Sequence, residues 1–235
     1  MKKRIKLFDI TIDKDDERKF IKTLHSGFLA SGAGTGLVKE FEQKFMKYTK
    51  SDDCVAVNSA TSALHLALAL LDIKGKEVIV PSLTFTATAH AVLYNGGIPV
   101  FADVDPKNLC MDPSSVKKSL TKKTRAILPV HFGGTSANLK ELSEIAQKNN
   151  LEIIEDAAHA AGTTYNNKKI GSHSSAVCFS FHPIKNLSTS SGGMISLNGN
   201  KTKLNKIIFC LYDGLELLIE AEQNIMFQNW VGIII

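Results

Sequence analysis

A single lysine, Lys185, follows a strand-like run in the stretch "AVCFSFHPIKNLSTSSGG", residues 176–193. The residues before it are apolar and favour β structure, and those after it are mostly Ser, Thr and Gly. The chain contains 28 Lys and Arg residues, so a lysine picked at random is a surface charge. A lysine in a partly desolvated cleft, in contrast, can act as an amine nucleophile. Its place at the end of a strand favours that second interpretation.

Two adjacent carboxylates, Glu155 and Asp156, lie where another apolar run ends in "LEIIEDAAHA". Neighbouring residues of a strand point to opposite faces, so only one of the two can point into a given site. A buried acid needs a partner, because an unpaired charge is costly to remove from water. The alternative, that both are exposed loop acids, is equally compatible with the sequence.

Two further stretches carry candidate ligand groups. In "CVAVNSATSALHLAL" the hydroxyl-rich run 59–62 leads directly into a helical pattern, where free backbone N–H groups and the helix dipole favour an anion such as a phosphate. An ordinary Ser/Thr N-cap is the simpler explanation of the same run. In "PSLTFTATAHA", Phe85 either stacks on a ligand ring or belongs to the core.

Taken together, these residues match the needs of pyridoxal 5′-phosphate (PLP). Its phosphate requires an anion site, its ring nitrogen a carboxylate, and its aldehyde a lysine with which to form a Schiff base. An aromatic side chain against the ring completes the set. The coincidence of four features carries this prediction, since each feature alone has a structural explanation.

The elements that must position these residues alternate along the chain. Near-continuous apolar strands separated by helices predict an α/β fold with a mostly parallel sheet and helices on both faces. Strands are predicted at 54–58, 77–81, 98–104, 125–132, 151–158, 176–182 and 193–198. Helices are predicted at 37–49, 62–71, 85–95, 113–120 and 139–150.

The bulk composition narrows the class of protein. The 235 residues are 44% hydrophobic with a net charge of +5, and no basic stripe is interleaved with aromatics, so neither nucleic acid nor a membrane is an expected partner. The four cysteines show no C-x-x-C spacing and no metal site is predicted; Cys54 and Cys178 are expected to be buried thiols. The N-terminus is not a signal peptide, and a cytoplasmic location is expected.

Five segments of the chain resemble the DegT/DnrJ/EryC1/StrS family of sugar aminotransferases. They are "EFEQKFMKY", "AVNSATSALHLAL", "VIVPSLTFTATAHAVLYNGGIPVFADVD", "EDAAHAAG" and "FSFHPIKNLSTSSGG", within residues 20–205. The resemblance implies the large domain of the type I PLP-dependent transferase fold. It also implies PLP as cofactor, glutamate as amino donor, a nucleotide-linked keto-sugar as substrate, and a homodimer.

The resemblance also implies residue roles. Lys185 would carry the cofactor, Asp156 would pair with the ring nitrogen, and Phe85 would stack on the ring. The related sugar 3-dehydratases have histidine in place of this lysine, so its presence favours transamination. The phosphate would be held by Thr61 and Ser180 with the backbone of Ala60 and Ser62, and His159 would lie near the ring.

The chain departs from the family pattern in two places. Residues 188–193 read Ser-Thr-Ser-Ser-Gly-Gly where the family reads close to T-T-G-E-G-G. After about residue 206 the family continues into a C-terminal domain, and family dimers bring an asparagine from those later residues to the partner's phosphate. We therefore expect an N-terminal segment (1–20), a PLP-binding large domain (21–206) and an atypical tail (207–235), without the small domain. A truncated remnant that binds PLP without turnover is the competing hypothesis.

Overall fold

The computed structural model describes residues 11–27 and 36–199. The predicted tail at 207–235, with Cys210, and residues 1–10 of the predicted N-terminal segment lie outside this range. The predicted domain limits therefore stay predictions.

A seven-stranded sheet forms the centre of the molecule, in the order β1-β9-β8-β5-β4-β2-β3. Strands β2, β3, β4, β5 and β8 run parallel, and β9 is antiparallel to its two neighbours, β1 and β8. The strands are β1 (Asp53–Val57), β2 (Glu77–Pro81), β3 (Ile98–Ala102), β4 (Thr124–Ile127), β5 (Glu152–Asp156), β8 (Ala176–Ser180) and β9 (Gly193–Leu197), while β6 (Thr164–Tyr165) and β7 (Lys168–Lys169) form a separate hairpin. The predicted mostly parallel sheet is confirmed.

Helices cover both faces of the sheet. Five of them confirm the predicted positions: α2 (Gly36–Thr49), α3 (Ala60–Ala69), α4 (Thr86–Tyr94), α5 (Pro113–Ser119) and α6 (Leu139–Asn149). Val78 and Val80 belong to the apolar cluster shared with α3 and α4, whereas Ile79 belongs to the cluster shared with α5 and α6. This burial on both faces explains why the strands read as continuous apolar runs rather than alternating ones.

Helix α1 (Lys14–His25) was not predicted from the sequence. It begins with a capping box in which the Asp13 side chain accepts from the backbone N–H of Asp16, and Asp16 accepts from that of Asp13. All of α1 lies in the described part of the chain, and none of its residues is buried. Within residues 11–27 and 36–199, no helix combines the length and apolar character that a bilayer span requires.

Candidate active site

The chain segments that carry the candidate residues leave the sheet at one edge. Asp156 ends β5 and Ser180 ends β8, while the run that begins at Ser59 follows β1. Because β1 and β8 are both antiparallel to β9, they run parallel to each other and end on the same side. Ligands of open α/β sheets bind beyond the carboxyl ends of the parallel strands, so a ligand site is expected at these strand ends.

The two carboxylates of β5 point to opposite faces and have different partners. The Thr88 hydroxyl donates to Asp156 Oδ2 at 2.8 Å, and the Ala158 N–H donates to Oδ1 at 3.1 Å. On the other face, His131 Nε2 lies 2.7 Å from Glu155 Oε2, with both side chains fully buried. Asp156 is 4% exposed. The alternative of two exposed loop acids is therefore wrong, because both carboxylates are buried and hydrogen-bonded.

His131 fixes the segment that follows β4. The Ala137 N–H donates to His131 Nδ1 at 3.1 Å, so the proton of a neutral ring is on Nε2 and points at Glu155. The backbone N–H of His131 in turn donates to the carbonyl of Asp156 at 3.0 Å. Glu155 thus has a structural partner of its own, which leaves Asp156 as the carboxylate available to a ligand.

Lys185 lies in the loop after β8 and is half-buried. Its backbone N–H donates to the carbonyl of His182 at 2.8 Å, which closes a tight turn. Burial lowers the pKa of the Lys185 amine below its ordinary value, and the Asp156 carboxylate opposes this by raising it. A lowered pKa increases the neutral, nucleophilic fraction of a lysine amine at a given pH. Lys185 follows β8, which pairs in parallel with β5, so Lys185 and Asp156 both lie at the carboxyl ends of neighbouring strands.

His159 belongs to the same electrostatic cluster. Burial lowers the pKa of its imidazole, the Lys185 ammonium lowers it further, and the Asp156 carboxylate acts in the opposite direction. The Gly133 N–H donates to His159 Nδ1 at 3.2 Å, and the ring of Phe132 meets the imidazole edge-on at 5.8 Å. His159 therefore bears no proton on Nδ1. The charges of Lys185 and Asp156 both act on its pKa.

The N-terminus of α3 lies against the start of β9. Ser59 is its N-cap, and its hydroxyl accepts from the Ser62 N–H at 3.2 Å. The simpler prediction of an N-cap is thus confirmed, yet Ala60 and Thr61 still present backbone N–H groups with no acceptor inside the helix. A Cβ on Gly193 would lie 2.5 Å from the Ser59 carbonyl carbon and 2.8 Å from Ala60 N. Only glycine permits this close approach.

The last two predicted residues lie at the same edge. Ser180 is 7% exposed, pairs with Gly193 in the sheet, and accepts a 3.4 Å hydrogen bond from the His182 N–H. Phe85 precedes the first residue of α4 and is 74% exposed, which excludes the alternative of a core residue. Its ring is therefore accessible to a ligand.

Sequence reasoning missed two residues of this region, Thr88 and His131. Both are fully buried polar residues whose partners are distant in the sequence. One available signal was a threonine whose helical spacing puts it on the same face as Ala87, Ala91 and Val92, and another was a histidine directly after the apolar run 126–130. Neither signal identifies the partner.

The arrangement can bind three kinds of group at once. The N–H groups at the start of α3 suit an anion, Asp156 suits a protonated nitrogen, and Lys185 suits an electrophilic carbonyl. The buried, doubly hydrogen-bonded Asp156 and the N–H groups at the start of α3 fit the ring nitrogen and the phosphate of a ligand such as PLP.

Known proteins match this chain over most of its length. The model of the DegT/DnrJ/EryC1/StrS aminotransferase family matches residues 10–223. The spore coat polysaccharide biosynthesis protein SpsC of Bacillus subtilis is 42% identical over 186 residues, which are 79% of this chain and 47% of SpsC.

Solved structures share the fold. DesV of S. venezuelae, solved in complex with a ketimine intermediate, is 38% identical with a TM-score of 0.76, over 81% of this chain and 51% of DesV. Bacillus subtilis ntda, solved with the bound cofactor PMP, is 30% identical with a TM-score of 0.75, over 84% of this chain and 45% of ntda. The chain therefore spans about half the length of these relatives. Its fold is that of the type I PLP-dependent transferases, and the chain belongs to the DegT/DnrJ/EryC1/StrS aminotransferase family.

Proposed function

We propose that this chain binds PLP and takes part in the transfer of an amino group to a nucleotide-linked keto-sugar, with glutamate as the donor. The observation that carries the proposal is the cluster of Lys185, Asp156 and His159 at the strand ends, in which burial lowers the pKa of the lysine amine. Family membership supports the reaction class, and the role of SpsC in polysaccharide biosynthesis supports a sugar substrate.

The proposed roles follow from the contacts of each residue. PLP would supply an electron sink and would carry the amino group from the donor to the keto carbon. Asp156 holds a proton at the ring nitrogen, and Phe85 presents its exposed ring to the face of the cofactor. Lys185 would hold the cofactor through its amine, and the free amine would remove and return the proton on the substrate carbon.

The phosphate is proposed to lie at the start of α3. Ala60 and Thr61 offer backbone N–H groups there, Thr61 also offers its hydroxyl, and Ser180 offers a further hydroxyl from β8. Ser62, which the resemblance also implies, donates its N–H to the Ser59 hydroxyl and its hydroxyl to Asn58 Oδ1 in this structure. Gly193 allows the start of β9 to pack directly against the backbone of Ser59 and Ala60, where α3 begins. His159, held by the Gly133 N–H, is proposed to lie near the ring.

Covalent mapping of the cofactor tests this proposal. The purified chain is incubated with PLP, reduced with borohydride and digested, and the modified lysine is identified by mass spectrometry. We expect the adduct on Lys185 and its loss in Lys185→Ala, while Lys148→Ala, a change of an exposed lysine at the end of α6, retains it. An undiminished adduct on another lysine in the Lys185→Ala protein would contradict the assignment.

A second candidate function is PLP binding without turnover. Four apolar side chains near the strand ends are more than a third exposed: Leu83 (38%), Phe85 (74%), Ile184 (47%) and Leu187 (42%). Water that reaches the site through such an open rim weakens every electrostatic interaction inside it. A homodimer, which the family resemblance predicts, would cover part of this rim.

The two candidate functions differ in kinetics. A catalytic chain converts glutamate and keto-sugar over many cycles. A binding protein gives the PLP adduct without multiple turnover. Steady-state assays with both substrates, compared with a single-turnover spectral change on adding glutamate alone, separate the two.

A further inference from the structure

Helix α4 places a buried hydroxyl directly against the carboxylate of the site. Thr88 is fully buried, and its hydroxyl donates to Asp156 Oδ2 at 2.8 Å. Its neighbours on the buried face of the helix, Ala87, Ala91 and Val92, are apolar. A hydroxyl in such surroundings is costly unless it is hydrogen-bonded, and Asp156 is the acceptor that satisfies its proton.

A second threonine extends this contact into a chain of hydrogen bonds. Thr84 Oγ1 lies 2.6 Å from Thr88 Oγ1. Thr88 has a single hydroxyl proton, which an ionised Asp156 accepts, so Thr84 must be the donor to Thr88. The chain therefore runs from Thr84 through Thr88 to Asp156. Hydrogen bonds arranged in this way polarise one another and are strengthened by it.

Both oxygens of Asp156 are held by the protein. Thr88 donates to Oδ2, and the Ala158 N–H donates to Oδ1 at 3.1 Å. One donor on each oxygen prevents the carboxylate from rotating about its Cβ–Cγ bond. Each oxygen still has a lone pair for a further donor, since an ionised carboxylate offers about four acceptor positions.

We propose that Thr88 is a positioning residue for the cofactor's ring nitrogen, acting through Asp156. The proposal rests on the proposed function, because it assumes that Asp156 pairs with that nitrogen. Thr88 keeps the carboxylate in the orientation in which it holds the ring proton. Thr84 supports Thr88 and precedes Phe85 in the chain, so one set of hydrogen bonds holds the carboxylate and the backbone that carries the exposed aromatic ring.

The experiment compares variants that keep or remove the hydroxyl. Thr88→Val preserves the shape and removes the donor, whereas Thr88→Ser keeps the donor. Thr49→Val is the matched control: Thr49 is also buried, at 1% exposure, but its hydroxyl donates to the carbonyl of Phe45 at 2.9 Å. Each protein is loaded with PLP labelled with 15N in the ring, and NMR follows the ring-nitrogen proton as the pH rises.

We expect the ring nitrogen of PLP bound to Thr88→Val to hold its proton about tenfold more weakly. The reason is that the charged Asp156 loses a hydrogen bond that orients it. The ring nitrogen therefore loses the proton at lower pH than in the wild type. Thr88→Ser and Thr49→Val should titrate like the wild type. Where activity is measurable, Thr88→Val should lower kcat and leave KM nearly unchanged, because Thr88 is fully buried and a substrate cannot reach it.

Three outcomes would overturn the inference. If Thr88→Val binds PLP and titrates like the wild type, Thr88 has only a structural role. If Thr88→Val does not fold, Thr84→Val replaces it, and an unchanged titration there contradicts the hydrogen-bond chain. If the wild type itself binds no PLP, the proposed function fails, and the inference fails with it.

Discussion

At the scale of single residues, neighbouring charges act on the pKa values of His159 and Lys185. Burial and the Lys185 charge both lower the pKa of His159, while the Asp156 charge raises it. Burial lowers the pKa of Lys185, and Asp156 again acts in the opposite direction. Such shifts are frequent at active sites, where burial and neighbouring charges are combined. The influence can be measured without any cofactor.

We predict that removing the Lys185 charge and removing the Asp156 charge move the pKa of His159 in opposite directions. Lys185→Met removes a positive charge at nearly constant shape, so the His159 pKa should rise. Asp156→Asn removes a negative charge, so the His159 pKa should fall. An NMR pH titration of the imidazole protons, assigned with His159→Gln, measures both shifts.

His65 is an internal reference in the same spectra. Its pKa is lowered by burial alone, so neither substitution should change it. A His159 pKa that moves in the same direction in both variants would contradict the electrostatic cluster. So would a His159 pKa that is unchanged in Lys185→Met.

At the scale of elements, the position of each strand of the seven-stranded sheet was predictable, because burial on both faces leaves a continuous apolar run in the sequence, and five helices were predicted as well. The short hairpin strands β6 and β7 were not predicted. The end of β4 was predicted wrongly. The sequence predicts a strand over 125–132, but regular pairing stops at Ile127. Pro129 has no N–H to donate, and its carbonyl instead accepts from the Asp156 N–H at 2.9 Å. The chain stays near β5 to His131 through isolated hydrogen bonds.

The positions of two candidate residues were predictable for a similar reason, since Asp156 ends β5 and Lys185 follows β8, while their roles stay predictions. The sequence could not decide between Asp156 and Glu155, because that choice depends on which face of β5 meets α4. Thr88 and His131 were missed because a buried hydrogen bond joins residues 68 positions apart in the first case and 24 in the second. Helix α1 was missed although the sequence carries its signals, the capping pair Asp13 and Asp16 and the helical spacing of Phe20, Ile21 and Leu24.

The contact between β9 and α3 gives a prediction at the same scale. In Gly193→Ala the new Cβ would lie 2.5 Å from backbone atoms of Ser59, which cannot move without shifting the start of the helix. We expect a loss of about 1–3 kcal/mol in the free energy of unfolding, as is usual for overpacking. We also expect weaker PLP binding. Urea denaturation and a PLP titration measure the two effects.

Gly97→Ala is the matched comparison. There the new Cβ would meet the side-chain atoms Ile73 Cδ1 and Val92 Cγ1 at 2.9 Å, and the backbone oxygen of Val92 only at 3.2 Å. Side chains of this kind can adjust more readily than a helix N-terminus, so the cost should be smaller, and PLP binding should not change beyond the loss of stability. Equal effects of the two substitutions on PLP affinity would show that the β9–α3 contact has no special relation to the site.

At the scale of the whole molecule, exposed apolar side chains are the most informative surface feature. On α1, Phe20 (71%), Ile21 (53%) and Leu24 (52%) are more than half exposed and lie on one side of the helix. A second group, Leu83, Phe85, Ile184 and Leu187, forms the rim of the site. Contiguous apolar surface on a folded protein usually marks a place where something else binds.

We predict that the chain associates with itself through the apolar side of α1, and that association increases with protein concentration. Phe20→Ser and Leu24→Ser remove apolar area from an exposed helix, so each should lower the apparent mass measured by light scattering after gel filtration. Lys22→Ser, an exposed polar position on the same helix, should leave the mass unchanged. A wild-type chain that stays monomeric across the micromolar range would contradict the prediction, and so would equal effects of the three substitutions.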